Sequence, residues 1–355
     1  MPLGDPAIPD HYEASAGVVL SWPPIVERLR GILEAHGIQS PLEYPTRYEQ
    51  QRGVSSWHCC CEDITNAPLS NGVADVHQHT VWEYVESYKE NIQNMHPLIS
   101  PERLRVMVTL VFETVSRAST TPTGRALTRS RGSRAGSGDE ALAAPPESRF
   151  GQLPCCVESA LVLMVLALGK LCLHRRVCGA EAAEMRVCGD VLGSEYFRTA
   201  YGIFCALQDA PTLEHAWFLI LGSLYYDQVG QPVESFNLLT KAGGHLRDII
   251  QPDLERYIHI RVSAGAGQPW KPGDPAMSVA DNEKLVAAWT CLLLERGILT
   301  ELQLHPSRML SGQQLPYPDG LVWHNQGFAK NVIEAFAWQM HMYVLVQDVR
   351  HDLKG

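Results

Sequence analysis

The residues best equipped for chemistry lie in three places. The run Trp57-His58-Cys59-Cys60-Cys61 carries three adjacent thiols and an imidazole, with His77 and His79 further on. Thiolate and imidazole are the soft ligands that zinc takes in tetrahedral sites. Adjacent thiols chelate one metal poorly, however, and the chain contains no Cys-x-x-Cys pair to complete a set. The stretch is therefore read as thiols in a loop, with metal or redox use as its rival, and no metal ligand is assigned. His215 stands alone on an otherwise apolar helical segment. It is a general base in a helical cavity or, more commonly for such a residue, a satisfied core histidine. Tyr225, Tyr226, Trp217 and Trp289 line a ligand pocket on one reading and pack the core on the other, and packing is preferred. Arg117, Arg125, Arg129, Arg131 and Arg134 are spread through a loop with no acidic residue before Asp139. They are read as a solvated disordered linker, with a nuclear-import role as the second reading and direct nucleic-acid contact as the third, since five spread Arg give only a weak, salt-sensitive attraction.

No G-x-S-x-G elbow, P-loop, dinucleotide fingerprint or H-E-x-x-H pair occurs. No catalytic residue and no cofactor is assigned, and the chain is not expected to be an enzyme. A net charge of −10 excludes a general basic surface for nucleic acid. Ten Cys and an N-terminal MPLGDPAIPDHYEAS without basic or apolar leader regions point to a reducing, intracellular setting. The most membrane-like run, Ser159–Gly169, is about half the roughly 20 residues a span needs, so it is expected in a core and not in a membrane.

The elements that must position these residues are helices throughout. Over 195–250 the apolar spacing predicts three of them, about Glu195–Leu207, Leu213–Tyr226 and Val233–Ile250. Pro211 breaks the first, and Thr212 is placed to cap the second. Gly230, Gly243 and Gly244 are read as turn and close-packing positions. Further helices are expected over Ile25–His36, Thr80–Asn94, Pro101–Ser116, Val157–Leu173, Ala180–Val191, Glu283–Leu302 and Val332–Leu353. The third is built on Leu104, Val106, Met107, Leu110, Val111 and Val115. Most of the later Cys are expected to be buried in apolar helices. Residues 263–282 read as a loop. The fold class is all-α, an irregular array of packed helical hairpins, divided as 1–116, a disordered loop 117–148, and 149–355.

Several stretches together resemble a known family. The run LEHAWFLILGSLYYDQVGQPVESFNLLTKAGGHLRDI resembles the central helices of the fungal-specific transcription factor domain, the regulatory middle region of fungal zinc-cluster transcription factors. HYEASAGVVLSWPPI is similar to that domain's opening segment, and Asn94-Met95-His96-Pro97-Leu98-Ile99 to a helix-terminating motif. CVESALVLMVLALGKLC resembles its apolar helix, and Trp289-Thr290-Cys291 through Leu302 its Trp-Thr-Cys helix, with Arg296-Gly297 in place of Ser-Asp. Gln314-Leu315-Pro316-Tyr317-Pro318 resembles the Pro-aromatic-Pro turn that follows. The blocks keep their order over most of the chain.

The resemblance implies a regulator of transcription for a metabolic or secondary-metabolite gene cluster, in the nucleus or cytoplasm. The six closely spaced thiolates of a zinc-cluster DNA reader are missing, so direct DNA binding is not expected. The implied partners are a DNA-binding zinc-cluster factor or a second copy of the chain, together with a small-molecule effector. Reuse of the scaffold as an enzyme or binding protein in a biosynthetic pathway is the alternative, and a truncated, inactive product the third reading.

Overall fold

From Leu161 to Leu168 the chain offers no polar side chain, so a helix formed there has no face to give to water. In the computed structural model this helix is the centre of the molecule. The structure describes residues 20, 22–40, 43–44, 47–48, 78–120, 153–178, 192–207, 210–264, 277–302, 304–307, 310 and 315–352. Among these residues about 80% are helical and none is in a strand. The fold is all-α.

Among the described residues eleven α-helices have defined bounds, in order α1 (Pro23–Ala35), α2 (Gln78–Tyr88), α3 (Pro101–Thr120), α4 (Val157–Cys178), α5 (Ser194–Ala206), α6 (Leu213–Gln228), α7 (Pro232–Ile250), α8 (Leu254–Ala264), α9 (Val279–Glu301), α10 (Gly320–Asn325) and α11 (Lys330–Asp352). Helix α4 is covered by α2, α3, α5 and α6. Helices α6 and α7 form a tight hairpin, α9 lies against both, and α10 and α11 close over α9. The core thus centres on two helices, α4, sealed from Ala160 to Leu168, and α9, buried from Leu285 to Leu292, bridged by α6. Each large apolar side chain buried on α4 contributes roughly 1.5–3 kcal/mol, so its coverage dominates the stability of this half.

Close wrapping of α4 depends on small residues. A Cβ at Gly169 would fall far inside van der Waals contact distance of the Tyr84 carbonyl oxygen on α2. Gly193, with φ +78°, caps α5, and a Cβ there would lie 2.5 Å from the Ala167 carbonyl oxygen. At both points backbone rests directly on the α4 backbone. Gly244, expected as a close-packing position, instead has open space where a Cβ would go, while Gly230 does turn the α6–α7 hairpin with φ +72°.

The hairpin matches its sequence reading closely. Thr212 caps α6, its hydroxyl accepting from the His215 backbone N–H. Pro232 opens α7 at a first-turn position, where its missing N–H goes unneeded. Elsewhere the structure differs. On α3 the buried face is Leu104, Met107, Val108 and Val111, one i, i+3, i+4, i+7 stripe. Val106 and Leu110, expected inside, are exposed because they project from the other side of the same turns. Helix α3 runs through 117–120, beyond the expected start of the loop, and the rest of that loop, 121–148, lies outside the described residues, as does the helix expected over 180–191. Helix α2 ends in a π-helical turn, Lys89–Gln93, before the extended segment at Pro97. Residues 263–282, expected as one loop, include the end of α8 and the start of α9. Cys172 and Cys291 are buried as expected, but Cys155 and Cys205 are exposed.

Two glycine substitutions test this packing. Gly169→Ala should destabilise the protein by about 3 kcal/mol, the upper end for overpacking, because the clash is with backbone that cannot rotate away. Gly244→Ala should stabilise it by about 0.5–1 kcal/mol, since a helical alanine replaces a glycine in open space. Thermal or urea unfolding of both variants checks the pair, and equal behaviour would contradict the assigned α2–α4 contact.

Candidate functional site

The helix starts of α3, α6 and α9 bring charge together at one end of the array. Arg103 in the first turn of α3 donates to Glu214 in the first turn of α6 at 2.7 Å, and to Glu283 on α9 at 3.4 Å. Gln326, just past α10, donates to the other oxygen of Glu283 at 3.1 Å. Beneath them lies the fully buried Trp217, with the Arg103 guanidinium 4.5 Å from its ring centre. Acidic side chains near helix starts are favoured by the unpaired N–H groups there. The arginine reconciles two such carboxylates, and its flat face suits the indole. Burial pushes the Glu283 carboxyl above the usual range, the nearby Arg103 charge and the Gln326 hydrogen bond pull it back, and the Glu214 charge adds to the rise. Two carboxylates with different surroundings around one guanidinium make this the most functional-looking polar cluster among the described residues.

A second cluster joins α8 to α9. Asp281 accepts from both guanidinium nitrogens of Arg256, at 3.0 and 2.8 Å, from the Tyr257 hydroxyl at 2.8 Å and from the Ser278 hydroxyl at 2.6 Å. Ser278 in turn caps α9 by accepting from the Asp281 N–H. Burial pushes this carboxyl up, but the hydrogen bonds from Arg256, Ser278 and Tyr257 together outweigh it, and Asp281 titrates well below the ordinary carboxylate range. Lys284 and Arg256 share Asp253 at its edge. Every oxygen of the central carboxylate is occupied, so this is a clamp and not a reactive group.

The residues singled out from the sequence do not converge. His215 is 8% exposed, with its Nδ1 2.7 Å from the Thr212 hydroxyl and its ring 5.3 Å from Phe204 and 6.3 Å from His245. Its imidazole is used in the α6 cap. Tyr225 and Tyr226 pack on Phe197 at 4.3 and 5.1 Å, and the Tyr225 hydroxyl donates to the Leu192 carbonyl. Burial raises the titration of both phenols, so both stay protonated at neutral pH. With Phe204 stacked on Phe218 at 4.1 Å, these rings fill the space between α5 and α6 with one another. Trp289 donates from Nε1 to the Pro316 carbonyl at 2.9 Å and stacks on Tyr317 at 5.5 Å, pinning the turn 315–318 to α9. Trp217 alone of the group touches the charged cluster. His79 is exposed, 3.6 Å from the Glu83 carboxylate. His58, Cys59, Cys60, Cys61 and His77, and Arg125, Arg129, Arg131 and Arg134, lie outside the described residues, and Arg117 is described only as part of helix α3. Among the described residues no three His, Cys, Asp or Glu side chains group as a metal-ligand set.

Arg103, Glu214, Glu283 and Asp281 were not singled out from the sequence. One legible signal existed: Ser278-x-x-Asp281 has the spacing of an N-terminal capping box and marks the start of α9. Among the described residues one helix, Val157–Arg175, is long and apolar enough to cross a membrane, longer than the Ser159–Gly169 run taken from the sequence; it is helix α4, most of it buried inside the molecule. The chain matches no family model, no curated protein and no solved structure.

Removing the arginine and removing a carboxylate should act in opposite directions. Arg103→Met leaves Glu214 and Glu283 facing each other and should destabilise by about 1–2 kcal/mol, a figure discounted for the partial exposure of Arg103. Adding Glu283→Gln to that variant should recover much of the loss, and a double-mutant cycle reads the coupling. Strict additivity would contradict the three-way arrangement. Asp281 makes a pH prediction. Its depressed carboxyl stabilises the fold above the unfolded value of about 4, and that contribution is lost as pH falls below it. Asp281→Asn should therefore lower stability at pH 7 by about 2 kcal/mol and have progressively less effect as the solution is acidified.

Proposed function

We propose that this chain is an all-helical regulator of transcription, of the type of the fungal-specific transcription factor domain, acting through a partner and not by holding DNA itself. The observation that carries the reading is where the blocks of resemblance sit. The LEHAWF and VESFNLL segments are the hairpin α6–α7, the apolar block is α4, and the Trp-Thr-Cys block is α9. Two blocks separated in sequence meet directly, since Trp289 of α9 holds the Pro316-Tyr317-Pro318 turn by a hydrogen bond and a ring stack. Motifs whose order follows a shared core are harder to assemble by chance than any one leucine-rich helix. The net charge of −10 supports reliance on a partner for contact with DNA. That partner is a zinc-cluster factor, and a small-molecule effector would act by binding one arrangement of the helices better than another.

Disruption of the gene, read by transcript profiling and metabolite analysis together, tests the proposal. The expected result is a coordinated fall in a set of transcripts, with loss of their end products. Unchanged transcripts beside one accumulating intermediate would assign the scaffold to a catalytic or carrier role instead.

A further inference from the structure

The last helix carries two apolar faces, and the fold uses one. Val332, Phe336 and Met340 of α11 are buried against α9 and α10, and Tyr343 continues that face with its ring 5.9 Å from Trp289. On the opposite side Trp338, Met342, Leu345 and Val349 are 66%, 53%, 42% and 55% exposed, with Val346 beside them. These account for five of the sixteen exposed large apolar side chains among the described residues, so the exposure is a patch and not a scatter. Their spacing is four, three, four, which is the narrow seam of a coiled coil and not the broader stripe that packs on a globular core. The seam from Trp338 to Val349 runs about 17 Å along a helix already held rigid by its other face.

We propose that this seam pairs with the same seam of a second copy of the chain, with the two α11 helices antiparallel. The sizes along it select the occupant and the direction. An antiparallel copy sets Trp338, the largest residue, against Val349, the smallest, and Met342 against Leu345, so the gap between the helices is evenly filled. A parallel copy would oppose Trp338 to Trp338 and Val349 to Val349, crowding one end and leaving the other open. The flanking polar side chains agree. His341 and Asp348 lie seven residues apart on the same side of the seam. In the antiparallel pair each His341 faces the Asp348 of the other copy, where imidazole and carboxylate can hydrogen-bond, twice by symmetry, whereas a parallel pair sets neither against the other. A second copy is also among the partners that the resemblance implies, but the inference stands on the helix alone; the experiment below reads association and not transcription, so the two fail separately.

The test is the mass of the full-length protein in solution at micromolar concentrations, by sedimentation or light scattering, with helix content and melting followed beside it. The wild type should be a dimer. Leu345→Glu should be a monomer with unchanged helix content, because the position is already solvated in the single chain; should that variant not fold, Val349→Lys gives the same reading. His341→Asp should weaken the dimer at least tenfold, and His341→Asp with Asp348→His should restore it. A monomeric wild type would overturn the proposal, as would a dimer that survives both Leu345→Glu and Val349→Lys. Failure of the charge swap to restore association would overturn the antiparallel register. Loss of the dimer on Leu29→Glu, in the apolar stripe of α1, would give the seam to α1 and overturn it too.

Discussion

A helix with no polar face has to be covered on every side, and α4 imposes that requirement on the rest of the chain. Its residues from Ala160 to Leu168 are sealed from solvent. Sealing it takes two elements that precede it, α2 and α3, and two that follow, α5 and α6. The N-terminal and C-terminal parts of the chain are therefore committed to one core, whatever the residues between them do. The glycines are placed by the same demand. Gly169 and Gly193 sit where backbone must touch the α4 backbone, and a side chain at either would hold a covering element off the helix it exists to cover.

Polar groups follow from the wrapping. Once helices are bundled around α4 and α9, several of their starts come together, each with unpaired N–H groups and acidic side chains in its first turns. Arg103 answers two of these carboxylates at once over the Trp217 ring, and Arg256 with Tyr257 answers Asp281. The aromatic residues that suggest a pocket in the sequence are spent on each other between α5 and α6, or on pinning a turn to α9. Among the described residues the largest run of outward-facing apolar side chains is on the last helix, Trp338, Met342, Leu345, Val346 and Val349.

The sequence was legible where a signal is local. The α6–α7 hairpin could be placed because Pro211, Thr212 and Pro232 each act on their own immediate backbone. The burial of α4 was evident from composition alone. Misreadings came where facing direction depends on distant partners. Val106 and Leu110 are as apolar as Met107 and Val108, and only the position of α4 decides which pair is covered. The start of α9 was missed despite its Ser278-x-x-Asp281 spacing because Asp281 and Asn282 read as loop residues, although the first is satisfied by Arg256 from another helix and the second by the Asp319 backbone. The cluster of Arg103, Glu214 and Glu283 was illegible for the same reason, its members being separated by 111 and 180 positions along the chain.

The claim on which the account rests is that α4 is the common core of both parts of the chain. Native-state hydrogen exchange measures this directly. The amides of α4 should be the last to exchange, together with those of α6, and their opening free energy should equal that of global unfolding. Exchange through α4 at the rate of the surface helix α1, or well before α6 and α7, would mean that the two parts fold separately and that the central helix organises neither.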